Sequence, residues 1–434
     1  MSLMQLQRLS ISNEERLRDW IWTEYLENLP DWTRDTLSQL EPVAAFRESE
    51  RVRPILILVS DLLEIQLSQL SPCHLAESRV TDMLSGNVAL RDKKALMRLL
   101  VKSQFPNSTA IAQGISIAVA TRQIHFHTQL PQAFREYLQM LATNGRSKGT
   151  VYEVRNKLGH FIRWTRGKEI DLDKGTFSKI RPGHIAGYME YLRRLIALGA
   201  MSRQSAALRG KLILSVFEYF SDKYGVSNLG RGIATPKRPE EFVRWIPSEQ
   251  QVERFFGAIL EYSPTVNRDM GLFGLMYLMG LRPSETERIN KTDLRLELNE
   301  VSIIEKGGDA AIVFIPQPLL PWLEALADST AEGERLFRID SKAIRNDERN
   351  LLFRLYAQIA NWPVIHGPGV FRHAFCTHAL RSGISLLDVS RFARHEDMRS
   401  TTHYIHLSNH EYRDKNQGAS TRLLKEVDID ANFA

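Results

Sequence analysis

Four stretches between Leu130 and Gly225 carry apolar side chains at helical spacing, and short loops separate them. In PQAFREYLQMLATNG, Phe134, Tyr137, Leu138 and Leu141 recur three to four residues apart and line one helix face. Tyr152, Leu158, Phe161, Ile162 and Trp164 serve the same purpose in GTVYEVRNKLGHFIRWTRG. RPGHIAGYMEYLRRLIALG and RQSAALRGKLILSVFEYFSDKYG supply two more helices. Four amphipathic helices joined by short loops predict a small bundle. The first 125 or so residues also look mostly helical, with leucines at helical spacing in SDLLEIQLSQL and KKALMRLLVKSQF. AIAQGISIAVATRQIHFH fits helix or strand, and this leading region shows no grouping of residues with evident chemistry.

At 434 residues the chain is longer than one hydrophobic core usually covers, so two or three domains are expected. Two cysteines, Cys73 and Cys376, exclude a disulfide scaffold and fit a reducing cytosol. No apolar run approaches the length of about 18 residues that a membrane span needs. The N-terminus lacks the apolar stretch of a signal peptide. A cytoplasmic protein with no membrane partner is the expectation. The net charge of +6 is compatible with a nucleic-acid partner without requiring one. Arg146, Lys148, Arg155 and Lys157 cluster near one helix start, where they can hold phosphates or simply form a solvated face.

ATPKRPEEFVRWIPSEQQ has three prolines and no periodicity, which reads as an interdomain linker. Ser248 and Gln251 then form a capping box, so a second domain starts near Trp245. In LFGLMYLMGLRPSETERI, Gly280 ends an apolar helix and Pro283 suits the first position of the next. Arg282 then sits at a helix start, where dipole and guanidinium both favour an anion. The alternative is an arginine paired with Glu285 or Glu287 on the surface. Val301–Glu305 and Ala311–Ile315 are strand-like, with KGGD as the turn between them. Lys306 therefore lies at a hairpin, which taken alone is an ordinary place for a solvent-exposed lysine.

The stretch from Gly369 to Leu407 holds five of the twelve histidines, with Arg372, Arg394 and Tyr404. A helix from near Arg372 can end at Gly383, and Ser385 with Asp388 can cap the next; RSTT can cap a last helix that carries Tyr404. Arginines and a lysine can neutralise a phosphodiester and its transition state. A histidine can bond a phosphoryl oxygen or move a proton. A tyrosine can attack phosphorus covalently. A zinc site at His403, His406 and His410, with His373 and His378 near, is the weaker alternative, because no HxxxH with glutamate and no cysteine pair accompanies them.

In order and spacing these elements resemble the tyrosine recombinase (phage integrase) family. That family has an arginine in a GLRxSE turn, a hairpin lysine, HxLRH, LGH, and a tyrosine nine residues after the last histidine. This chain has GLRPSE with Arg282, IEKGGDAAIVFIP with Lys306, GVFRHAF with Arg372, FARH with His395, and Tyr404 nine residues further on. The resemblance covers roughly Trp245 to Leu407. It departs at Gly369, where the family usually has histidine, with His366 three residues upstream, and at Arg394, where it has glycine.

The resemblance implies a mainly α fold with a small β-sheet in the catalytic domain (α+β). Residues 1–125, outside the resemblance, would be an N-terminal helical extension of unknown role, with 126–235 a helical core-binding domain, 236–245 a linker and 246–434 the catalytic domain with its tail. It implies a C-shaped clamp on double-stranded DNA and a tetramer on two DNA sites, with partner recombinases or accessory proteins as further candidates. Arg282, Lys306, Arg372 and His395 would assist attack by Tyr404, with no cofactor and no metal. The product would be a 3′-phosphotyrosyl bond, as in the integrase or transposase of a bacterial mobile element. A catalytically silent DNA-binding protein on the same scaffold is the alternative, and Gly369 is its motive.

Overall fold

The computed structural model describes residues 12–87, 90–103, 105, 107–113, 115, 130–166, 180–199, 201–237, 245–305 and 307–394. The chain is mainly α-helical with small antiparallel sheets. It divides into two compact units, one combining Met1–Val80, Val88–Gln113 and Trp245–Ala434, the other Thr81–Asn87 and Gly114–Arg244. None of the described helices is long and apolar enough to cross a membrane.

In the first unit the leading helices are α1 (Asn13–Trp20), α2 (Asp31–Leu37), α3 (Pro42–Leu63) and α4 (Leu90–Lys102). The second unit holds the four predicted helices as α5 (Gln132–Thr143), α6 (Lys148–Arg166), α7 (Pro182–Ala197) and α8 (Arg203–Tyr224). Phe134, Phe161, Tyr188, Phe217 and Phe220 fill their common core. Tyr152 departs from the amphipathic pattern: it is 65% exposed rather than packed inside. His160 Nδ1 lies 2.8 Å from the Tyr188 hydroxyl, and burial pushes its imidazole down to about 4.

From Trp245 the first unit resumes with α9 (Glu249–Tyr262), α10 (Val266–Leu278) and the single turn α11 (Pro283–Thr286). The Ser248–Gln251 capping box forms as its sequence predicts. Then come β1 (Leu294–Arg295), β2 (Glu300–Ile304), β3 (Ala310–Phe314), α12 (Leu320–Asp328), β4 (Arg338–Ile339) and β5 (Lys342–Ala343). Helices α13 (Asn346–Ile359), α14 (Val370–Arg381) and α15 (Leu386–Phe392) follow. Strands β1, β2 and β3 form an antiparallel sheet in that order, with Val301 opposite Val313 and Ile304 opposite Ala310.

Phe255 of α9 sits at the centre of this half of the unit. Its ring centroid lies 4.9 Å from Phe371, 5.3 Å from Trp362, 5.4 Å from Phe273 and 5.5 Å from Phe353. Such edge-to-face and tilted pairs add about 0.5–1.5 kcal/mol each beyond their buried area. Phe371 is therefore an anchor, and it fixes the start of α14 one residue before Arg372. The leading helices pack on the same body. Asn13 Nδ2 donates to the carbonyls of Leu260 and Ser263, each at 3.0 Å, which satisfies free carbonyls at the end of α9. Glu50 of α3 pairs with Arg354 of α13 at 3.4 Å.

A buried polar knot ties α10 to α13. The Asp269 carboxylate is fully buried and accepts from Ser263 Oγ at 2.7 Å, Tyr356 OH at 2.5 Å and Arg268 Nε at 2.7 Å. Burial and this carboxylate hold the Tyr356 phenol well above its usual range, so it remains a donor. Asp269→Ala strands all three donors and should lower stability by about 3 kcal/mol. Urea unfolding followed by tryptophan fluorescence would read this as a lower midpoint at unchanged slope. A loss below about 0.5 kcal/mol would show that the knot does not brace the frame.

Candidate active site

The α10 helix ends in a turn that only glycine fits. Gly280 has φ +60°, and a Cβ there would meet Phe375 Cδ1 of α14 at 2.6 Å. This close approach brings the chain just before Arg282 against α14, which carries Arg372. The Arg372 guanidinium uses it: Nη1 donates to the Gly280 carbonyl at 2.6 Å, and Nη2 donates to the Ala393 carbonyl after α15. One side chain thus joins three elements.

Arg372 is only 7% exposed. Burial, then the charges of Arg282 and Arg394, push its guanidinium down to about 10. That is still a cation at neutral pH. Arg282 caps α11, as the Gly280–Pro283 pattern predicts, but α11 is a single turn of four residues, so its dipole adds little. The charge at this place comes from guanidiniums instead.

Glu285 organises them. It is 1% exposed, accepts from the Arg282 backbone N–H at 2.7 Å and from Arg282 Nη1 at 2.8 Å, and also accepts from Arg394 Nη2 at 3.0 Å. Burial alone would raise its carboxyl, but the Arg282 hydrogen bonds and the Arg394 charge outweigh burial and hold it low. The pairing foreseen as an alternative for Arg282 is therefore real, and it is with Glu285. Glu287 instead pairs with Arg349.

Arg394 stands where the family has glycine. Its side chain is 11% exposed and forms a second ion pair, Nε to Glu305 Oε1 at 3.2 Å. Its φ is +53°, a left-handed conformation that costs a non-glycine residue roughly 1 kcal/mol. The family's glycine at this position was the available signal, since glycine marks a place that needs this backbone.

The described site thus brings together Arg282 and Arg372, with Arg394, Glu285 and Glu305 around them. Lys306, His395 and Tyr404 lie outside the described residues, as do His403, His406 and His410. Glu305, which precedes Lys306, follows strand β2, and the turn after it closes with the Glu305 N–H on the Asp309 carbonyl at 2.8 Å. Gly369 caps α14 with an ordinary φ of −59°, and a Cβ there would meet no described atom within 4 Å. His366 is exposed in the loop before it. His378 has both ring nitrogens engaged, with Tyr277 OH and the Pro247 carbonyl at 3.0 Å each, so it is a structural core histidine. Among the described residues no three His, Cys, Asp or Glu side chains group as metal ligands.

In the helical unit, Arg146 is exposed just before α6, and Lys148 and Arg155 are exposed on it. Lys148, Tyr152 and Arg155 fall at i, i+4 and i+7, which places them on one face. Lys157 is half-buried and pairs with Glu153 at 3.0 Å, so it belongs less to that stripe.

Residues 247–411 match the family model described as the phage integrase family. The chain is similar to the tyrosine recombinase XerD of Vibrio cholerae, at 26% identity over 275 residues, covering 61% of this chain and 87% of that protein. It is also similar to XerD of Proteus mirabilis, at 27% identity over 214 residues, covering 47% and 68%. Among solved structures, a lambda integrase dimer bound to a core site aligns with a TM-score of 0.49 at 14% identity, over 61% of this chain and 94% of that one.

Proposed function

We propose that this chain, which belongs to the tyrosine recombinase family through its residues 247–411, breaks and rejoins DNA by way of a 3′-phosphotyrosyl intermediate. The observation that carries the proposal is the convergence of Arg282 and Arg372 on the Gly280 turn. Two cations held together in a partly buried place are suited to a phosphodiester whose negative charge grows during attack. Tyr404 would supply the attacking oxygen. Lys306 would protonate the leaving 5′ oxygen, and His395 would bond a phosphoryl oxygen or move a proton. Bond energy is kept in the phosphotyrosine, so a 5′ hydroxyl of another strand can reverse the step without a nucleotide cofactor. Exchange between two duplexes takes four protomers, and integration or transposition of a mobile element is the role that fits best. The domain division expected from the sequence, with residues 126–235 as a DNA-binding domain ahead of a catalytic domain, belongs to the same proposal.

The test is covalent capture. The full chain is expressed in cells that carry its native flanking DNA, denatured in detergent and precipitated, and the DNA that stays attached is sequenced. Attachment at one discrete site supports strand transfer. Binding of the flanks with no attachment would favour the silent DNA-binding alternative.

The exposed stripe on α6 is proposed to meet DNA phosphates. Lys148→Glu with Arg155→Glu should weaken duplex binding about evenly across sequences. It should also reduce the slope of log affinity against log salt by about 2, one per lost phosphate contact. An unchanged salt slope by fluorescence anisotropy would remove this stripe from the interface.

A further inference from the structure

Arg394 occupies a backbone conformation that glycine adopts freely and arginine resists, and yet its side chain is mostly covered rather than trailing in solvent. It spans two carboxylates from separate elements, hydrogen-bonded through Nη2 to Glu285 at 3.0 Å and charge-paired through Nε, without a hydrogen bond, to Glu305 at 3.2 Å. Glu285 is the group that fixes Arg282 in place. Glu305 stands at the root of the hairpin turn, one residue before Lys306. A tie is useful there. Strand β3 is at the edge of its sheet, and Ile304, Ile312 and Phe314 are exposed, so the end of this hairpin has little packing on that face. A guanidinium can face two carboxylates at once through different nitrogens, which a single ammonium does less readily.

We infer that Arg394 is a positioning residue, which locks the root of the lysine hairpin to the Arg282 turn and thereby sets Lys306 against the leaving oxygen. The inference rests on the proposed strand-transfer reaction and adds a device to it. In that reaction the Tyr404 oxygen bonds to phosphorus and its proton passes to water. The bond from phosphorus to the 5′ oxygen breaks with its electron pair, and that oxygen takes a proton from the Lys306 ammonium. The loop before His395 and the lysine hairpin are then coupled through one side chain.

The experiment uses the full chain and the duplex captured by the wild type, synthesised with either oxygen or sulfur at the bridging 5′ position. A thiolate leaves without a proton, since a thiol has a pKa of about 8.5. Arg394→Gly removes the bridge and relieves the backbone. It should cleave the oxygen duplex on the order of ten- to a hundredfold more slowly, and return to within about threefold of wild type on the sulfur duplex. Glu305→Gln, which removes the other half of the bridge without touching the strained loop, should behave in the same way. Lys306→Ala is the reference for loss of the acid, with a larger defect and the same rescue.

Equal slowing on both duplexes in Arg394→Gly and Glu305→Gln, with Lys306→Ala rescued, overturns the inference alone. So does wild-type cleavage of the oxygen duplex by both variants. Failure of sulfur to rescue Lys306→Ala overturns the lysine's assignment in the proposed function, and the inference falls with it.

Discussion

Covalent capture of DNA should vanish in Tyr404→Phe, while the variant binds the same duplex with affinity within about threefold of wild type, because phosphate contacts elsewhere carry the binding. Phenylalanine keeps the ring and removes only the oxygen. A free phenol has a pKa of about 10, so at neutral pH on the order of one in a thousand is ionised. Attack therefore needs cations that stabilise the developing charge, and Arg282 and Arg372 are two such groups in the described site. If the phenylalanine variant still forms a detergent-resistant adduct at the same nucleotide, another group is the nucleophile and the assignment of Tyr404 is wrong. The same assay addresses Gly369. Among the described residues nothing lies within 4 Å of a Cβ at that position, so no steric demand from them explains the loss of a side chain there. Capture by the wild type would show that strand transfer proceeds with glycine at that position.

The helical bundle was legible because burial alone sets its pattern. Phe134, Leu158, Phe161 and Ile162 fall where 3.6-residue periodicity puts them, and all are buried. Tyr152 was misplaced because periodicity counts an aromatic ring as apolar, whereas its position on α6 falls among Lys148 and Arg155 on the outer face. The strands of the hairpin were found one residue late, at 301–305 and 311–315 against the observed 300–304 and 310–314. Strand ends depend on pairing across the ladder, which local composition does not contain.

Arg282 and Arg372 were visible in the site as motif positions. How they are held was not. Glu285 is the glutamate of the GLRPSE motif, but spacing alone foresaw it only as a surface partner of Arg282 and did not show it buried between two arginines. The Asp269 knot joins residues 87 positions apart at Tyr356, a separation no local pattern reports. The packing of α1 on α9 through Asn13 is likewise a long-range fact. What the sequence carries poorly is therefore the second layer of the site, the groups that hold the reacting groups.

Arg372→Ala should lower the rate of strand cleavage by on the order of 10²- to 10³-fold, the usual effect of deleting one preorganised donor to a developing oxyanion. Arg372→Lys should recover little of it, because an ammonium keeps the charge but cannot reach the Gly280 and Ala393 carbonyls and a phosphate with one planar fork. Single-turnover cleavage of the captured duplex at saturating protein separates this from weaker binding. The alanine variant should also lose about 1–3 kcal/mol of stability, since two buried carbonyls lose their donor. Near-wild-type cleavage by Arg372→Lys would mean that charge alone matters there, and near-wild-type cleavage by Arg372→Ala would remove the residue from the active site. The hydrogen bonds of Arg372 help the fold, but its buried charge does not. Its pKa is depressed to about 10, so the fold carries the full cost of keeping it charged below that pH, and the cost is relieved only as pH rises through 10 toward the ordinary arginine range. A group buried at the expense of its own charge, beside two other guanidiniums, is placed for an anion that arrives from outside.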